Sequence, residues 1–210
     1  MKPIRISTSF GLFFCLFFNM AQAQVQKGEL LQGKTTSTEI APKEQHKYVV
    51  NLEKNQFAFF KLMQEGVDVK ITTYTPQGKK IAEFDSPNGQ NGAELFSINS
   101  TDKGKYLVEV SPLEENESKG KYTISLKLVK PKAVTLGDQV DEIFASWDSK
   151  DSPGAAVAVV QNGAIVYKKA YGMANLEYDI PNSPSTVFHI ASVSKQFTAV
   201  SIMMLQDNGL

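Results

Sequence analysis

The sequence predicts an α+β chain: an all-β sandwich over residues 24–131, then from residue 132 a segment that mixes strands and helices. Three observations carry this. Between Gln24 and Lys130, short runs of alternating polarity are separated by turn residues, and no long helical period interrupts them. At Lys130-Pro131-Lys132 the pattern changes character, because a residue before proline resists helix and a 3.6-residue period follows. The composition, 42% hydrophobic and 21% charged over 210 residues, is that of a globular chain of one or two domains and excludes disorder and collagen.

Residues 1–23 read as an export signal. Lys2 and Arg5 form a positive start, Phe10 to Phe18 an apolar run, and Ala21-Gln22-Ala23 a small-x-small cleavage site ahead of Gln24. The apolar run is far shorter than the roughly 20 residues that cross a bilayer as a helix. The expectation is a periplasmic or secreted protein with no membrane span after cleavage. The single cysteine, Cys15, lies inside that apolar run, so the processed chain has no thiol or disulfide chemistry. With only His46 and His189 left as soft ligands, no metal of the Cys/His kind and no cofactor is expected. Without residues 1–23 the chain keeps 20 basic and 22 acidic side chains, a net charge of −2, which is no nucleic-acid footprint. All the remaining basic residues are lysines, so any anion site must use Lys or backbone N–H groups.

The expected strands are His46 to Leu52, Phe57 to Met63, Val67 to Tyr74, Lys79 to Phe84, Glu94 to Ile98, Tyr106 to Val110 and Tyr122 to Leu128. Gln64-Glu65-Gly66 and Pro76-Gln77-Gly78 supply short turns, and residues 86–92 a longer loop with two Asn-Gly steps. Strand alternation directs Phe57 and Phe59 to the core rather than to an exposed aromatic site. Glu114-Glu115-Asn116-Glu117 reads as a solvated loop.

After the joint, Asp138 is expected to cap a helix whose Val140, Ile143, Phe144 and Trp147 form one buried stripe. Pro153-Gly154 ends it. Ala155 to Val160 and Ala164 to Ala170 are strands joined by Gln161-Asn162-Gly163, a hairpin signal. Val187 to Ala191 then leads into a second helix, Ser192 to about Asn208, with Gly209 beyond its end.

The pattern S-x-x-K occurs at Ser100/Lys103, Ser118/Lys121 and Ser192/Lys195. The first two fall in polar loops and read as solvated surface. Ser192 instead opens a helix with an apolar stripe of Phe197, Val200 and Met204, at the helix's positive end. A serine hydroxyl is a weak nucleophile until a neighbour takes its proton and a positive field holds the alkoxide. Lys195, three residues on, lies on the same face, and buried there as a neutral amine it can take that proton. The Ser192 N–H, left out of the helix ladder, can donate to a carbonyl oxygen under attack. Spacing alone favours a serine N-cap beside a solvated lysine.

Gly172-Met173-Ala174-Asn175 to Pro181, followed by Phe188-His189-Ile190-Ala191-Ser192-Val193-Ser194-Lys195-Gln196-Phe197-Thr198-Ala199, closely resembles the serine β-lactamase and penicillin-binding protein superfamily. The likeness is greatest to its class C β-lactamase, D-alanyl-D-alanine carboxypeptidase and esterase branch, and runs from about Val140 to Leu210. The resemblance implies that Ser192 is acylated and that Lys195 is its proton-transfer partner. It implies a small-molecule or peptide substrate with an electrophilic carbonyl, peptidoglycan among the sources. The preceding sandwich resembles a pre-peptidase C-terminal domain, on its strand rhythm and on the Gly-Lys-Tyr openings at 104–106 and 120–122.

The resemblance also implies a downstream Y-x-N or S-x-N motif and a K-T-G or H-x-G strand, neither of which is in this sequence. Only 78 residues follow Lys132, so the expectation is the incomplete start of a β-lactamase-like domain, inactive alone. Tyr167, Tyr171 and Tyr178 precede Ser192 and read as packing or rim residues. His189 has no identifiable acid partner and reads as structural. The competing function is a secreted sandwich binding module carrying a non-catalytic S-x-x-K remnant.

Overall fold

The computed structural model describes residues 23–114 and 118–209. The export signal expected over 1–23 therefore lies outside the described residues except for Ala23, as do Glu115, Asn116 and Glu117 of the acidic loop. Nine strands come first: β1 (Ala23–Glu29), β2 (Thr35–Ile40), β3 (Glu44–Leu52), β4 (Gln56–Glu65), β5 (Val69–Tyr74), β6 (Lys80–Phe84), β7 (Asn91–Asn99), β8 (Gly104–Pro112) and β9 (Gly120–Pro131). They form a five-stranded sheet in the order β1-β3-β8-β5-β6 and a four-stranded sheet in the order β2-β9-β4-β7. The seven expected strands are all present, five of them longer by up to three residues at an end, while β5 and β6 start two residues and one residue later than expected. β1 and β2 carry no alternation signal, because Val25 stands alone among glutamines and three of the six β2 residues are threonine. Both take their order from pairing at a sheet edge, β1 parallel to β3 and β2 antiparallel to β9.

The interior follows from alternation. Tyr48, Val50 and Leu52 of β3 meet Val69 and Ile71 of β5, Tyr106, Val108 and Val110 of β8, and Tyr122 and Ile124 of β9, all buried. The Gly-Lys-Tyr openings now have a cause. A Cβ on Gly104 would stand 2.7 Å from the Pro76 ring, and one on Gly120 would stand 2.7 Å from Val67 and from the Glu65 carbonyl. Each glycine lets the strand start close to a neighbour, the lysine points outward, and the tyrosine enters the core.

Polar groups inside this core are paired. His46, fully buried, shares a 2.8 Å hydrogen bond between Nδ1 and the Tyr122 hydroxyl, which also lies 2.8 Å from the Tyr48 hydroxyl. The Glu44 carboxylate sits 3.3 Å from His46 Nε2. Burial pushes His46 below the ordinary histidine value, with Glu44 pulling back the other way. Glu94, also fully buried, accepts from Ser86 N–H and Asn88 Nδ2 at 2.9 Å each, and burial holds its carboxyl above the usual range.

Two sequence expectations are corrected here. Ser100 is no solvated loop residue: it is 1% exposed, its hydroxyl donates to the Glu53 carbonyl at 2.6 Å, and it accepts from Gln56 N–H at 2.7 Å. A turn that closes over backbone groups needs a short hydroxyl to satisfy them. On β4 the core face is Ala58, Phe60 and Leu62, all 0% exposed, with Phe60 stacked on Phe96 at 4.8 Å. Phe57 and Phe59 lie on the opposite face and stack on each other at 6.4 Å, so of the two only Phe59, half-buried, departs from the expected burial. Phe57 is nonetheless buried, with the Lys130 ammonium 5.5 Å over its ring.

The chain divides into two compact units. The first holds the described residues up to Leu52 with Lys61–Glu94 and Lys103–Leu126; the second holds Glu53–Phe60, Leu95–Asp102 and the described residues from Lys127 onward. In the second, the Lys132 N–H donates to the Asn55 carbonyl at 2.8 Å and the Ala133 N–H to the Glu142 carboxylate at 2.8 Å. A helix α1 (Leu136–Ile143) follows. Its cap is Thr135 rather than Asp138: Thr135 Oγ1 accepts from the Asp138 N–H at 3.1 Å and bonds to the Asp138 carboxylate at 2.7 Å. A 3₁₀ turn, Ala145–Trp147, succeeds it. Of the expected stripe only Val140 is buried, whereas Ile143 and Trp147 are exposed.

The hairpin β10 (Ala155–Gln161) and β11 (Ala164–Tyr171) is antiparallel and turns at Asn162 and Gly163, whose φ angles of 51° and 77° are those an Asn-Gly step accepts. β12 (Met173–Asn175) and β13 (Ile180–Pro181) pair briefly, and α2 (Lys195–Asp207) ends the described chain.

Candidate active site

Ser192 lies in a 3₁₀ turn, Ala191–Ser194, and Lys195 is the first residue of α2. The cap position of α2 thus belongs to Ser194, which makes no side-chain cap bond, and not to Ser192. The Lys195 N–H donates to the Ser192 carbonyl, closing one 3₁₀ turn in which residues i and i+3 eclipse. The backbone therefore brings Ser192 and Lys195 to one side. The first bond of the turn, Val193 N–H to the Ile190 carbonyl at 3.0 Å, comes after Ser192, so the Ser192 N–H faces no helical carbonyl. Immediately before the serine, Ala191 holds φ at 44°, a left-handed conformation that an alanine adopts only under constraint. Sequence offered no signal for this, since glycine or asparagine is the usual residue there.

The side chains are not joined. Ser192 and Lys195 are both exposed, and neither side chain makes a hydrogen bond among the described residues. The burial that would favour a neutral amine is absent. His189 is likewise exposed, without a hydrogen bond among the described residues. The expected one-sided stripe on α2 is also replaced. At 100° per residue, Phe197, Val200 and Met204 fall on one side while Ile202, Met203 and Leu205 fall around the rest, and all six are exposed. A helix apolar around its whole circumference is built for burial on every side.

One polar cluster of this segment was not foreseen. Asp141 Oδ1 of α1 accepts from the Tyr171 hydroxyl at 2.7 Å, the Lys169 ammonium at 2.7 Å and the Tyr167 hydroxyl at 3.1 Å. Burial pushes the Asp141 carboxyl up, but the lysine and the two hydroxyls outweigh it and hold it below the usual range. Burial first, with Tyr167 and Asp141 adding to it, holds the Tyr171 hydroxyl well above the tyrosine range. The signal was available: residues 167, 169 and 171 alternate onto one face of β11. Beside it, Asn182 Nδ2 donates to the Tyr171 carbonyl at 3.1 Å, while its buried Oδ1 has no partner among the described residues.

Among the described residues no group of three His, Cys, Asp or Glu could hold a metal ion, and no helix is long and apolar enough to cross a membrane.

Residues 140–210 match the family model described as Beta-lactamase. The D-aminopeptidase of Gluconobacter oxydans (strain 621H) is 43% identical over 56 residues, 27% of this chain and 11% of that protein. Protein flp of Staphylococcus aureus (strain N315) is 37% identical over 72 residues, 34% of this chain and 14% of that protein. The chain thus spans a small share of the length of the curated relatives it matches. The pre-peptidase C-terminal domain of collagenase from Bacillus anthracis superposes with a TM-score of 0.39 at 18% identity, over 53% of this chain and 99% of that domain. The S-x-x-K turn and the hairpin before it thus both fall within the stretch that matches the Beta-lactamase family model.

Proposed function

We propose that this chain supplies the nucleophile of an exported serine hydrolase that works through an acyl-enzyme on Ser192. The observation that supports the reading most is the 3₁₀ turn that sets Ser192 and Lys195 on one side, within the stretch that matches the family. In the reaction, Ser192 Oγ attacks the substrate carbonyl carbon while its proton passes to a neutral Lys195 amine. The resulting oxyanion accepts from the Ser192 N–H and one further donor. The carbonyl–leaving-group bond then breaks, the proton goes to the leaving group, and water hydrolyses the Ser192 ester in a second step. The D-aminopeptidase likeness favours a peptide carbonyl; β-lactams and small esters offer the same electrophile. The positive, apolar and small-x-small segments of residues 1–23 support export to the periplasm or beyond.

The exposure of α2 adds a condition. With both side chains in water, charge stabilisation is weak, so efficient acylation requires chain that covers α2. Incubating the 210-residue chain with a fluorescent penicillin tests this: the expected result is no stoichiometric label, and full labelling at Ser192 would refute the condition. In a longer protein containing this segment, Ser192→Ala is expected to abolish hydrolysis, and retained activity would remove Ser192 from the mechanism.

A further inference from the structure

β1 begins at the residue where the export cut is expected. The small-x-small motif Ala21-Gln22-Ala23 places that cut between Ala23 and Gln24, so the processed chain opens with a glutamine. Both residues already belong to the strand: Ala23 pairs in parallel with Glu44, and Gln24 with Gln45. The new terminus is therefore at the start of β1 itself. β1 lies at the edge of its sheet, and of its residues only Val25 and Lys27 are even half-buried, so its order rests on the hydrogen-bond ladder to β3 more than on packing.

A glutamine with a free α-amine carries its own electrophile. The amine nitrogen and the side-chain carbonyl carbon Cδ are the two ends of a five-membered ring, a size that closes with little strain. An unperturbed α-amino group titrates at about 8, so at neutral to mildly alkaline pH a share of it is the free base that attacks. Closure also needs a side chain free to turn. Gln24 is exposed, and its side chain makes no hydrogen bond among the described residues. Closure suits the strand as well: an ammonium at its first residue is strongly hydrated and draws that pair toward water, whereas a lactam there keeps one N–H and one C=O and carries no charge.

We propose that Gln24 of the exported chain is converted to pyroglutamate. The α-nitrogen bonds to Cδ, the Cδ–Nε2 bond breaks, a proton from the amine passes to the departing nitrogen, and ammonia leaves; no oxidant, reductant or second reactant is consumed. The modification rests on the export cut proposed above and adds the chemistry of the new end: uncharged, and closed to aminopeptidases that need a free α-amine.

The test is the 210-residue chain exported by a bacterial host that carries a periplasmic glutaminyl cyclase, recovered and read by peptide mass spectrometry. The expected N-terminal peptide starts at residue 24 and is lighter than its sequence by one ammonia. Gln24→Ala, which has no electrophile, is expected to start at the same residue with its full mass. The Val25 and Gln26 amides of the cyclised chain are expected to exchange with solvent more slowly than those of Gln24→Ala. A peptide that starts at residue 24 with its full mass would overturn the modification and leave the export cut standing. A start at any other residue, or no cleavage, would overturn both. Equal exchange in the two chains would overturn the role assigned to the neutral end of β1.

Discussion

The sandwich and the α2 segment use the same apolar residues to opposite effect. Leu62 of β4 is 0% exposed, whereas Leu205 of α2 is 50% exposed. In the sandwich, two sheets cover each other and buried polar groups such as His46, Glu94 and Ser100 find partners in their own surroundings. In α2, apolar side chains point in every direction and none is buried. Apolar composition by itself therefore does not make a core. What decides is whether the chain supplies a second layer, and for α2 the described residues do not.

The largest effect expected from this contrast comes from a matched pair. Leu62→Ala should cost about 2–5 kcal/mol, because it removes apolar burial and leaves a cavity. Leu205→Ala should change stability by no more than about 0.5 kcal/mol. Urea denaturation followed by tyrosine fluorescence measures both, and equal losses would break the comparison.

A smaller effect lies in the polar core. Tyr122→Phe removes the hydroxyl that joins His46 to Tyr48, leaving two buried groups short of a partner at about 1–3 kcal/mol. The same cluster sets a pH response. Burial lowers folded His46 below its ordinary value of 6.5, so the unfolded chain takes up the proton first. The stability that rests on neutral His46 is complete above pH 6.5 and is lost as the pH falls below it. Glu94 acts the other way: its carboxyl is raised by burial, so its cost is present above 4.5 and eases as the pH falls through the raised value. Denaturation midpoints for the wild type and His46→Asn from about pH 8 to about pH 5 separate the two. The wild type should lose stability more steeply, and identical slopes would contradict the assignment.

The smallest effect concerns the partly exposed cluster on α1. Asp141→Ala should cost about 1 kcal/mol, discounted for solvent, and should speed amide exchange in β11 more than in the sandwich. Uniform exchange changes would contradict a local role. Because the folded Asp141 carboxyl lies below its ordinary value of 3.8, its contribution is present above that value and lost as the pH falls below it.

These regions also differ in how much the sequence disclosed. Alternation locates the seven strands β3 to β9, and Asn162-Gly163 locates the hairpin, because both are local backbone rules. β1 and β2 were missed since their order comes from partners distant in sequence. Thr135 and Asp138 both stand at cap spacing, so the sequence does not separate them, and the polarity of Ser100's neighbours hides its burial. At the site, the S-x-x-K spacing found Ser192 and Lys195. It could not reveal the left-handed Ala191, the 3₁₀ geometry of the turn, or the three donors on Asp141, all of which depend on tertiary placement.

The central claim is that Ser192 becomes esterified during turnover. Its most direct test is peptide-resolved mass spectrometry of a longer gene product containing this segment, quenched during incubation with a penicillin. The account predicts a one-to-one adduct on the peptide carrying Ser192 that disappears in Ser192→Ala; turnover with no adduct there, or an adduct that survives the substitution, would contradict it.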